Sequence, residues 1–69
     1  MNRNINGYEV DIEADNGEGV SQCFVIKGKY SASLACLEAT GELSWGDLVI
    51  RVPDTIVDKI STFAEANGY

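Results

Sequence analysis

The residues of this chain whose types and spacing could do chemistry are carboxylates. Glu9, Asp11, Glu13, Asp15 and Glu18 place five acids within ten residues. Three kinds of chemistry use such a row. A calcium loop is the first, and Asp11 to Gly17 comes close to its pattern. The glycine falls one position late, however, and the twelfth position is Gln22 rather than glutamate, so no metal site is expected. Acid–base catalysis is the second. It needs a cleft and an environment that splits two carboxyl pKa values, which an exposed strand face does not offer. Binding is the third. Alternate residues of a strand lie about 6.6–6.8 Å apart. A row at that repeat can engage Lys and Arg side chains that otherwise grip phosphates, which rise about 3.4 Å per nucleotide along one strand. The bland alternative is a solvated strand face whose charges discourage edge aggregation.

Other chemistry is excluded more simply. The chain has no histidine, so neither serine nor cysteine has an imidazole to activate it. Lys27-Gly28-Lys29 lacks the glycine spacing of a phosphate loop. No catalytic residue and no cofactor is nominated, and the expectation is a protein that is not an enzyme. Cys23 and Cys36 match no metal or redox spacing and read as buried small hydrophobes. A disulfide between them requires backbones within about 7 Å. Trp45 fits either the edge of the core or an interface anchor, and it joins the carboxylates as a candidate partner-binding residue.

Composition sets the frame. Eleven acidic residues against five basic ones give a net charge of −6 over 69 residues. Direct nucleic-acid binding normally needs a Lys/Arg footprint, so the expected partner is a protein with a basic surface. A chain of this length forms one domain with a marginal core, which a homodimer or a partner would support. No apolar run approaches a membrane span and residues 1–7 lack a secretory signal core, so the expected location is cytoplasmic.

The elements that must position these residues follow from periodicity. Tyr8, Val10 and Ile12 alternate with Glu9, Asp11 and Glu13, a half-buried strand with an acidic outer face. Asn16-Gly17 suits a tight turn. The return strand runs from Val20 to Lys27, with Val20, Gln22, Phe24 and Ile26 on one face and Cys23 and Val25 on the other. Residues 31–40 predict a short helix, with Ser31 as N-cap, Gly41 as the terminating glycine, and Tyr30, Leu34 and Leu37 on one face. The same stretch also alternates as a strand. Residues 42–46 read as a connection.

The last third is the plainest. Leu48, Ile50 and Val52 alternate as a strand that Pro53 ends. Asp54 or Thr55 caps a helix, Thr55 with Asp58 approximating a capping box. Its stripe is Ile56, Val57, Ile60, Phe63 and Ala64, and Asn67-Gly68 ends it. Residues 1–7 are polar and expected to fray. The predicted fold class is α+β in the order ββαβα. It has a three-stranded, largely antiparallel sheet with both helices on one face. The alternative is four antiparallel strands with one terminal helix.

In length, charge, ββα-type core and the acidic strand Tyr8–Glu13, the chain resembles the small acidic proteins by which phages block host machinery, including anti-CRISPR proteins. No diagnostic motif accompanies the resemblance, and no functional residue carries over from it. It implies a non-catalytic inhibitor that occupies a partner's surface as a nucleic-acid mimic.

Overall fold

A computed structural model of the chain describes residues 2–13 and 22–69. They form β1 (Asn2–Ile5), β2 (Tyr8–Glu13), β3 (Gln22–Lys27), β4 (Tyr30–Ser33), α1 (Leu34–Thr40), β5 (Glu42–Trp45), β6 (Leu48–Arg51) and α2 (Asp54–Ala66). The strands make a six-stranded sheet in sequence order, every neighbouring pair antiparallel. The α+β class stands, but neither the three-stranded sheet nor the four-stranded alternative does.

The sheet has more strands than periodicity predicts because half of them are made by turns rather than by hydrophobic alternation. Residues 1–7 were expected to fray, yet Asn2–Ile5 pairs along β2, with Ile5 opposite Tyr8. Between them Asn6 (φ 52°) and Gly7 (φ 91°) both take positive φ. That is the two-residue turn whose twist matches antiparallel strands. The Asn4 side chain holds it by accepting the Gly7 N–H at 3.0 Å. Residues 42–46, expected to be a connection, contain β5 instead, which turns through Gly46-Asp47 so that Trp45 faces Leu48. The strand predicted from Leu48, Ile50 and Val52 is therefore β6, an edge strand paired with β5 rather than with the first hairpin.

Residues 30–40 are both of the structures their sequence suggests, in succession. Tyr30–Ser33 is strand, Leu34–Thr40 is helix, and Ser33 serves both. Its extended backbone (φ −69°, ψ 154°) closes β4 while its side chain caps α1. The hydroxyl accepts the Cys36 N–H at 3.3 Å, so the N-cap is Ser33 and not Ser31. Tyr30 lies on the strand, not on the helix face. Gly41 ends α1 as expected, in the left-handed region with its N–H on the Leu37 carbonyl at 2.7 Å.

Helix α2 keeps the predicted stripe: Ile60 and Ala64 are fully buried, and Ile56, Val57 and Phe63 pack beside them. Its start differs. Asp54 is already helical, Pro53 stands at the cap, and no side chain caps there. The Pro53 carbonyl accepts from Ile56 and Val57 N–H instead. Asp54 in the first turn complements the helix dipole, which is why a missing hydroxyl cap is tolerated. At the other end Tyr69 N–H reaches the Ala64 carbonyl at 3.0 Å and Gly68 N–H the Glu65 carbonyl at 3.4 Å, the paired bonds of a Schellman ending.

The core lies between one face of the sheet and the two helices. Val10, Ile12, Cys23, Val25 and Leu43 come from the sheet, Leu34, Leu37, Ile60 and Ala64 from the helices, and Val52 from the link before α2. Cross-strand pairs Val10–Val25 and Ile12–Cys23 form its floor. Ser61 Oγ donates to Glu38 Oε2 at 2.9 Å, tying the helices together at its rim. Cys23 is buried as expected, but Cys36 sits on the exposed side of α1 and both thiols are free.

Candidate protein-binding face

Strand β2 positions the carboxylates by alternation alone. Val10 and Ile12 are buried, so Glu9, Asp11 and Glu13 point to the opposite face. The register then names their neighbours. Asn4 lies across from Glu9 and Asn2 from Asp11 on β1. On β3 the facing residues are Ile26, Phe24 and Gln22. The row is thus bordered by amides on one side and by an apolar pair on the other. Continuing across the sheet, Phe24 faces Ser33 and Ile26 faces Ser31. Ser31 then faces Ser44, and Ser44 faces Val49. The helices cover the other face, which leaves Phe24 38% exposed.

Positive charge is distributed elsewhere. Arg3 lies over the Phe63 ring at 5.3 Å, Lys27 over Tyr8 at 4.7 Å and Lys29 over Trp45 at 4.1 Å. All three rings belong to the helix-covered side or its rim. Such contacts draw each cation toward an aromatic face and away from the carboxylate row. Arg51 is on the carboxylate side but at the far edge, opposite Glu42. The electrostatics of the open face are therefore polarised, acidic over β2 and close to balanced over β5 and β6.

The predicted site residues separate. Glu9, Asp11 and Glu13 share one face, while Asp15 and Glu18 lie outside the described residues. Trp45 belongs to neither the row nor the core. Leu43 is buried, so Trp45 two residues on shares its side of the sheet. There it is 49% exposed at the uncovered end. Phe24 and Ile26 were not nominated, although they adjoin the row. Period two places them on one face of β3, but only the pairing with β2 identifies that face as the acidic one.

Of the two thiols, Cys23 has its proton held on. Burial pushes its pKa up from the ordinary 9.0, and the negative charges of Asp11 and Glu38 add to the shift. It is a core residue and not a nucleophile. Among the described residues no group of three or more His, Cys, Asp or Glu side chains is gathered to hold a metal. A shallow groove of about 450 Å³ between β1 and α2 is lined by Arg3, Ile5, Asp58, Lys59, Thr62 and Phe63. Its charges are mixed, and its one carboxylate has no second to work with as an acid–base pair. Among the described residues no helix is long and apolar enough to cross a membrane. Comparison with protein-family profiles, with curated proteins and with solved structures yields no match.

Proposed function

We propose that this chain is a non-enzymatic, acidic protein-binding module. It inhibits or regulates a nucleic-acid-handling partner by occupying that partner's basic surface, as small phage-encoded inhibitors do. The observation that carries the reading is the row Glu9, Asp11 and Glu13 on the open face of β2, with the exposed ring of Phe24 directly beside Asp11. Carboxylates steer the encounter with a basic surface. An adjoining aromatic supplies the desolvated anchor that charge alone does not. A second reading, a small homo-oligomeric assembly subunit, is favoured by the exposed Leu48 and Val49 of the edge strand β6.

The test is affinity capture from host extract with the native chain and with the triple variant Glu9→Lys, Asp11→Lys, Glu13→Lys. The native chain should retain nucleic-acid-binding proteins, release them with added duplex DNA or rising salt, and lose them on charge reversal. Identical capture by the two chains, or capture insensitive to competing DNA, would sink the reading.

A further inference from the structure

The two ends of the sheet are built differently. Strand β1 exposes Asn2, Arg3 and Asn4, a polar edge of the kind that resists pairing. Strand β6 ends the sheet on the other side, with Leu48 53% and Val49 55% exposed on its two faces. It is short, but it carries no proline or lysine to block pairing.

The backbone of β6 has a definite polarity. Val52 N–H donates to the Gly41 carbonyl at 2.8 Å, in line with the β5–β6 register. Even-numbered residues therefore turn their N–H and C=O groups toward β5, because hydrogen-bonded and non-hydrogen-bonded pairs alternate in an antiparallel ladder. Odd-numbered Val49 and Arg51 turn theirs outward. A second copy of β6 laid antiparallel about a two-fold axis at Val49 matches outward groups to outward groups. In that register Val49 faces itself and Leu48 faces Ile50 of the second copy. Asp47, the turn residue that leads into β6, comes opposite Arg51 of the second copy; this pair and the Leu48–Ile50 pair each occur twice by symmetry, and the Val49 pair once, on the axis. A two-residue shift to an axis at Ile50 keeps the hydrogen bonds but sets Arg51 against Val49 and leaves Asp47 unmatched. A one-residue shift sets outward groups against inward ones.

We infer that β6 is a self-pairing edge, through which two copies of this chain join antiparallel about Val49 with reciprocal Asp47–Arg51 pairs. The occupant is a second copy because the strand is complementary to itself in charge, apolar pattern and hydrogen bonding at one register. The joined sheet keeps each acidic row on β2, one strand in from its outer edge and four strands from the seam, so the inference does not rest on the proposed partner. Four residues bury much less than the roughly 1,600 Å² of a standard interface, so the dimer is concentration-dependent.

The test is sedimentation equilibrium over micromolar to millimolar protein, with far-UV circular dichroism as a check of folding. Single variants Asp47→Arg and Arg51→Asp each set like charges opposite one another and should weaken self-association about tenfold. An equimolar mixture of the two variants restores both opposite-charge pairs and should dimerise as the native chain does. A native chain that stays monomeric at millimolar concentration overturns the inference. So does a mixture that associates no better than either variant alone. If either variant loses its fold, Val49→Lys serves in its place: two lysines on the axis must leave monomer, and a persisting dimer refutes the geometry.

Discussion

The two faces of the sheet carry comparable strand residues to opposite ends. On the covered face Val10, Val25 and Leu43 are sealed under the helices. On the open face Phe24, Ile26 and Val49 stand among serines and carboxylates with no helix above them. The difference teaches that hydrophobicity by itself did not decide burial in this chain. Which residues lie inside was decided by where α1 and α2 land. The covered face holds the fold, and the open face is left in solvent.

That contrast can be broken at graded cost. Ile60→Ala, under the helix, is expected to lose about 2–5 kcal/mol in urea unfolding. A loss below about 1 kcal/mol would mean that α2 is not docked through its stripe. Gly7→Ala comes next, at about 1–2 kcal/mol, because φ 91° is a region that L side chains avoid. The new Cβ would meet only the Lys27 ammonium, at 3.1 Å, and that flexible side chain can move aside. The expected cost is therefore strain rather than collision. A neutral result would show that β1 adds little to the fold.

On the open face the triple reversal of Glu9, Asp11 and Glu13 to Lys should change stability by no more than about 0.5 kcal/mol per site while removing partner capture. A large loss of stability would instead make the row structural. The smallest effect concerns the thiols. Cys36 should react with a disulfide reagent in the native protein at the rate of an exposed thiol, and Cys23 only as fast as the fold opens. Because the Cys23 pKa is raised on folding, its contribution is fully present below the unfolded value of 9.0 and is lost as pH rises through the folded value. Stability should therefore begin to decline above pH 9.0 and level off once the folded value is passed. Cys23→Ala should flatten the decline, and an unchanged slope would refute the link.

Much of this arrangement is legible in the residues. Tyr8 to Glu13 alternates so strictly that its buried and acidic faces could be assigned without a partner strand. Stretches 2–5 and 42–45 were not legible as strands. Asn2-Arg3-Asn4 has no apolar alternation, and Glu42-Leu43-Ser44-Trp45 has only two apolar residues. A signal was present for the first: Asn6-Gly7 is as good a hairpin turn as Asn16-Gly17. The separation of Trp45 from the carboxylate row was not legible either, because it depends on the side of the sheet to which Leu43 is turned. The carboxylates themselves could be named in order, but their neighbour Phe24 could not.

What the sequence determined alone is local. It set the period of β2, the stripe of α2, the glycine that ends α1 and the paired hydrogen bonds that end α2. Each of these depends on residues within a turn or two of one another. Only the tertiary structure decided that polar segments become strands, that Ser33 is both the end of β4 and the cap of α1, and that Phe24 lies beside Asp11. Those outcomes depend on hydrogen bonds and burial supplied by residues distant in the chain, which no local pattern encodes.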